Sequence, residues 1–173
     1  PGITRGFFGL GQYDEVQGNY EQALVHYFRT LEAAKEWKDK RWISDSYLVI
    51  GNIYNYQGKY GEALDYYFQA LQIDEELEDK EAIVNSYNNI AIIYLYQGDY
   101  ENALDYSFKS IELGIELGHK SELSVTYNNI GYLFYNQSQY DSAALYYREA
   151  IELTEKAISQ YGLALFYNNL ADV

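Results

Sequence analysis

The chain has 173 residues, of which 22 are Tyr and one is Pro, and 26 acids against 12 bases give it a formal charge of −14. So acidic a surface repels phosphates and anionic headgroups, which argues against nucleic acid or a membrane surface as partner. With no Cys there is no disulfide, thiolate metal site or cysteine nucleophile, and two His are too few for a His-rich metal centre.

From the N-terminus, Gly6-Phe7-Phe8-Gly9-Leu10-Gly11 lies in a first helical stretch that Gln17-Gly18-Asn19 interrupts, and Tyr20-Glu21-Gln22-Ala23-Leu24 opens a second. The polar string Lys38-Asp39-Lys40 ends that pair, with Trp37 and Trp42 on either side of it. These two indoles are expected to pack on each other or to cap the first pair. The same sentence is then repeated. Tyr20, Tyr60, Tyr100 and Tyr140 stand forty residues apart, and Ser46-Tyr47, Ser86-Tyr87, Thr126-Tyr127 and Phe166-Tyr167 keep the same period. Within the third period Tyr87, Ile90, Ala91 and Tyr94 recur at i, i+3, i+4 and i+7, and so do Ala103, Leu104 and Ile111 with Phe108, which marks two amphipathic helices.

Between them Gly98 suits the left-handed position after a helix and Asp99 the N-cap of the next. Gln17-Gly18-Asn19 and Gln57-Gly58-Lys59 repeat this turn, whereas Gln137-Ser138-Gln139 lacks the glycine and should be strained. The period divides the chain into a single array: 1–19 a first helix with its turn, 20–39 its second helix, then repeats at 40–79, 80–119 and 120–159, and 160–173 the first helix of a truncated fifth. Gly11, Gly51, Ala91, Gly131 and Ala171 share one column and Ala23, Ala63, Ala103 and Ala143 another. Glycine inside a helix costs about 1 kcal/mol relative to alanine, so its recurrence suggests close approach of helix backbones.

The string Tyr47, Ile50-Gly51, Tyr54, Tyr60, Ala63-Leu64, Tyr67, Ala70-Leu71 resembles the tetratricopeptide repeat pattern over essentially the whole chain. The usual period of that family is about 34, so both helices here should be longer. In this the sequence is similar to the repeats of kinesin light chains, Pins-type adaptors and bacterial signalling proteins. It departs from the pattern at Asp14 and Ser107, where aromatics are expected, and in lacking the proline that often ends the second helix. The resemblance implies an all-α, right-handed superhelical solenoid of antiparallel helix pairs whose first helices line a concave, ligand-binding side.

At about 100° per residue, the packing stripe of the third repeat leaves Asn85, Asn88, Ile92, Leu95 and Tyr96 on a second face. The first repeat offers Arg5, Phe8, Gln12, Glu15 and Val16 there, and the second Asp45, Leu48, Asn52, Asn55 and Tyr56. The fourth offers Val125, Asn128, Tyr132, Tyr135 and Asn136, and the half-repeat Leu165, Asn168 and Asp172. An Asn amide carries donor and acceptor and can pair with an extended backbone, while Tyr and Ile supply pockets. The alternative is that these amides bond between helices, which is the expectation for Asn89, Asn129 and Asn169 at the edge of the stripe. Arg5 is the sole base among these positions, so the acidic tails of heat-shock chaperones are disfavoured ligands.

The reading is therefore a protein-interaction module that binds an extended peptide or partner tail, as the sensory or scaffold part of a larger signalling protein. The alternative is self-association. With Pro1 rather than Met first, the chain reads as a piece of something longer, and its end at Val173 would leave Leu165, Leu170 and Val173 uncovered and prone to end-to-end stacking. Residues 60–99 carry nine acids against one base and residues 20–59 five against six, so salt-sensitive contact between copies is a further idea. His26 and His119 are expected at the surface or an interface, not as ligands. No phosphate loop, nucleophile elbow or HExxH string occurs, and Asp74-Glu75-Glu76 is ordinary in so acidic a chain. Neither catalysis nor a metal or cofactor is expected. No apolar run approaches the roughly 20 residues of a membrane span, and a cytoplasmic location is the expectation.

Overall fold

The computed structural model describes residues 2–118, 120–156 and 163–173. These form nine α-helices and no strand: α1 Gly2–Val16, α2 Tyr20–Glu36, α3 Lys40–Tyr56, α4 Tyr60–Glu76, α5 Lys80–Gln97, α6 Tyr100–Leu117, α7 Lys120–Asn136, α8 Tyr140–Lys156 and α9 Leu163–Ala171. His119 and the segment 157–162, which includes the expected opening of the fifth repeat, lie outside the described residues.

The turns explain this spacing. Gly18, Gly58 and Gly98 take φ values of 75°, 71° and 75°. After α1 the amide of Asn19 reaches back to the Asp14 carbonyl at 2.8 Å and that of Gly18 to Glu15 at 2.9 Å, closing the helix in a Schellman turn. Ser138 occupies the same left-handed region at φ 58°, the strain anticipated where the glycine is missing. Lys38 and Glu78 do likewise at 55° and 53°, which their merely polar surroundings did not signal. Asp39 and Asp99 cap α3 and α6 by accepting from Trp42 N and Asn102 N, each at 3.2 Å.

The described residues gather into two compact units, Pro1–Ser86 and Tyr87–Val173. In the N-terminal unit Ala23, Tyr27, Leu31, Tyr47, Ile50, Ile53 and Ala70 form the core. In the C-terminal unit Ile111, Leu123 and Ile130 form one cluster, and Ala150, Ile151 and Phe166 another.

The glycine column has a different cause from the one expected. A methyl on Gly11 would stand 2.4 Å from the Tyr27 ring, on Gly51 2.6 Å from Tyr67, and on Gly131 2.5 Å from Tyr147. These glycines seat a tyrosine ring of the second helix; they do not bring two backbones face to face. In the third repeat Ser107 replaces the tyrosine, and there alanine (Ala91) replaces glycine, both buried. A second pair of columns behaves alike. Tyr54 stacks on Tyr66 at 5.5 Å, Tyr94 on Tyr106 at 5.8 Å and Phe134 on Tyr146 at 5.3 Å. In the first repeat the corresponding residues are Asp14 and His26, whose Oδ2 and Nε2 lie 3.4 Å apart.

One expectation needs correction. Trp42 packs edge-on against Phe8 at 5.2 Å, whereas Trp37 is exposed, so the indoles neither meet nor share a role. Lys40 and Arg41 pair with Glu76 at 2.8 Å and Asp79 at 2.5 Å, so bases of the near-neutral stretch meet the acidic one inside the chain. The acid Asp74 is buried in the N-terminal unit, where the hydroxyl of Ser44 donates to one carboxylate oxygen and that of Ser86 to the other. Burial raises the Asp74 pKa, and the two hydroxyls oppose the shift.

Candidate functional site

Each unit presents the second stripe of its first helices in its own way. In the N-terminal unit Arg5, Gln12, Val16 and Asp45 are exposed, and Leu48 and Phe8 are half-buried, Phe8 lying against Tyr27 at 5.6 Å. The core tyrosines send their hydroxyls out to this stripe. Tyr27 OH donates to Glu15 Oε2 at 2.5 Å, and Tyr67 OH donates to Asn52 Oδ1 at 2.8 Å. Burial drives both phenols well above their ordinary range; the Glu15 hydrogen bond adds to the shift of Tyr27, and Tyr56 adds to that of Tyr67. Asn55 is half-buried beside them and opposes the Tyr67 shift. Tyr56 is 56% exposed and lies 5.6 Å from the Tyr20 ring. Asn85 is exposed on α5. A wide concavity of about 650 Å³ opens beside Gly18, Asn19, Tyr20 and Gln57.

In the C-terminal unit Asn88, Asn128 and Asn168, which share one repeat position, differ in their surroundings. Asn88 is half-buried and its Oδ1 accepts from Thr126 Oγ1 at 2.9 Å. Asn128 is 7% exposed and its Oδ1 accepts from Asn169 Nδ2 at 2.8 Å, a bond between α7 and α9. Asn168, in the same column, is exposed. Ile92 and Leu95 are half-buried, and Tyr96 is 56% exposed. Tyr132, 42% exposed, stacks on Tyr135 at 6.5 Å, and Tyr135 meets the Tyr140 ring edge-on at 5.8 Å. Asn136 is exposed and donates to the carbonyl of Tyr132 at 2.8 Å. Val125 is exposed. A small cavity of about 40 Å³ is lined by Tyr132, Tyr135, Tyr147, Asn169 and Asp172.

The three residues proposed for end-to-end contact are not alike. Leu165 is 57% exposed and Val173 38%, whereas Leu170 packs against the cluster of Ala150, Ile151 and Phe166. Among the described residues no group of His, Asp and Glu gathers to hold a metal ion, and no helix is long and apolar enough to cross a membrane.

Sequence reasoning missed the polar contacts of the core tyrosines and the Asp14–His26 pair. The signal for both was present: columns that change together, Gly with Tyr and aromatic with aromatic.

A model of the tetratricopeptide repeat matches residues 5–76 and 82–156. No curated protein matches the sequence significantly. Several solved structures share the fold. The chain is 23% identical to BtubC (BKLC) from P. vanneervenii, with a TM-score of 0.82 over 93% of this chain and 67% of that one. It is 22% identical to aspartyl phosphate phosphatase F from Bacillus subtilis, with a TM-score of 0.89 over 97% of this chain and 44% of that one. A Rap protein crystallised with competence and sporulation factor is 21% identical, with a TM-score of 0.82 over 97% of this chain and 47% of that one. The chain thus spans less than half the length of the last two.

Proposed function

The chain belongs to the tetratricopeptide repeat family, and from that premise we propose that it is a protein-interaction module holding an extended peptide or partner tail against its first helices. The observation that carries the reading is the recurrence of exposed tyrosine beside anchored amides. Tyr56, Tyr96 and Tyr132 are 56%, 56% and 42% exposed, although burying such rings is favourable, and neighbouring Asn52, Asn88 and Asn128 are already hydrogen-bonded within the fold. Within each unit, rigid aromatics over a fixed polar layer make a recognition surface of low ordering cost. Asn55, Asn85, Asn136 and Asn168 supply the adjustable amides, with Ile92, Leu95 and Tyr135 as apolar floor. Asn52, Asn88 and Asn128 act as backing more than as direct contacts.

The Rap structure of like fold, complexed with competence and sporulation factor, supports a bound partner for this fold, which we read here as a peptide, with a sensory part in a longer protein as the setting. The sparse bases on these faces weigh against an acidic chaperone tail. A cytoplasmic role fits the same reading.

Selection of a displayed library of linear peptides on the immobilised protein tests it. Wild type is expected to enrich related sequences that the folded Tyr56→Ala/Tyr132→Ala variant no longer holds. Enrichment that survives the double substitution, or none at all, would overturn it. Self-association has its own observation in the exposure of Leu165 and Val173. If it is the function, light scattering shows a dimer that Leu165→Glu dissociates.

A further inference from the structure

Resting on the peptide-binding reading, we propose that the cavity between α7, α8 and α9 is a subsite for a cationic side chain of the bound peptide, the guanidinium of arginine or the ammonium of lysine. The lining decides the chemistry. Asp172 brings a carboxylate, Tyr132 and Tyr135 bring ring faces stacked within 15° of parallel, and Tyr147 brings a phenol from a ring that is 1% exposed. Asn169 has one amide hydrogen committed to Asn128, so its carbonyl oxygen and a second amide hydrogen remain for other contacts. Among the described residues, Lys and Arg do not contribute to the lining. The wall is therefore rich in acceptors and π-faces, which complements a ligand with N–H donors and a positive charge.

Size points the same way. A cavity needs about 10–15 Å³ to hold one water, so about 40 Å³ has room for the small polar head of a side chain. Tyr27 and Tyr67 spend their hydroxyls on Glu15 and Asn52, whereas Tyr147, which lines the cavity, has no such partner among the described residues. Burial, with Tyr132, Tyr135 and Asp172 adding to it, pushes that phenol up to about 12, so it stays neutral and available as donor or acceptor at physiological pH. The N-terminal unit carries a related combination, the Glu15 carboxylate beside the Tyr20–Tyr56 pair. The overall charge of −14 draws cations towards either face.

Two probes that differ in charge and not in shape separate this from peptide capture in general: acetyl-Gly-Arg-Gly-amide and the same tripeptide with citrulline for arginine. Binding is read from the side-chain amide resonance of Asn169 at low salt. The arginine probe is expected to bind about tenfold tighter, the ratio one charge-assisted contact supplies, and Asp172→Asn to reduce that ratio to one. Tyr132→Ala should weaken both probes. If the two bind alike to wild type, the cation preference is wrong and peptide capture stands. If neither moves the Asn169 resonance, both readings fall for this face. A tenfold ratio that persists in Asp172→Asn would also overturn the assignment.

Discussion

The two units repeat one helix-pair design and differ in what they place at two recurring contacts. In the N-terminal unit both Gly–Tyr seats are kept, at Gly11–Tyr27 and Gly51–Tyr67, but one of the two aromatic stacks has become Asp14–His26. In the C-terminal unit the aromatic stacks are kept, and one Gly–Tyr seat has become Ala91–Ser107. In each case both partners change together. The contact, not the residue, is what the repeat preserves, as dense interiors require when a ring needs room that only a missing Cβ leaves.

The comparison is broken most severely by removing a ring from its seat. Tyr67→Ser should cost the N-terminal unit about 3–5 kcal/mol, the range for emptying a large buried aromatic site, read from urea unfolding. Gly51→Ala, which sets a methyl 2.6 Å from the same ring, should cost about 1–3 kcal/mol by overpacking. Combining them copies the pair found in the third repeat, and the double variant should lose less than the two single losses together. Strict additivity would show that the two columns are not one contact.

Asp74 sharpens the contrast electrostatically, because Ala34 and Thr154 hold the same repeat position without charge. Asp74→Ala should cost about 1–3 kcal/mol by leaving the Ser86 hydroxyl without its acceptor and Ser44 with only the Ala70 carbonyl, at 3.3 Å. The pH dependence has a definite sign. Burial raises the folded-state pKa of Asp74, so its contribution to stability is present at acid pH and is lost as pH rises through that folded-state value. Asp74→Asn removes the buried charge and retains hydrogen bonding, because a serine hydroxyl can accept as well as donate. The variant should therefore be more stable than wild type at neutral pH and show a flatter dependence of urea midpoint on pH. The smallest effect is expected at the first stack. Asp14→Tyr and His26→Tyr should each destabilise alone, while the double variant regains about 0.5–1.5 kcal/mol from the restored ring pair.

Much of this architecture is legible in the sequence because turns are punctuated locally. Gly18, Gly58 and Gly98 mark helix ends, and Asp99 marks a helix start, with no knowledge of the rest of the chain. Contacts between helices are not written that way. The column of Gly51 can be read directly, but its partner column, sixteen residues on at Tyr67, is recognised only when a third repeat alters both. The candidate site suffers most from this. Asn88, Asn128 and Asn168 occupy one column, yet Asn88 meets Thr126 and Asn128 meets Asn169, each on the first helix of the following repeat, while Asn168 stays exposed. A helical wheel treats the three as equivalent because it contains one helix; their roles are set by the next.

That division between anchored and presented amides is the centre of the account, and one pair of variants tests it. Asn128→Ala and Asn168→Ala, compared by urea unfolding, delete the same group from the same column. Asn128→Ala is expected to lose about 1–3 kcal/mol, because the Asn169 amide is left without its acceptor, while Asn168→Ala stays within about 0.5 kcal/mol of wild type. Equal losses, or a larger loss at Asn168, would contradict it.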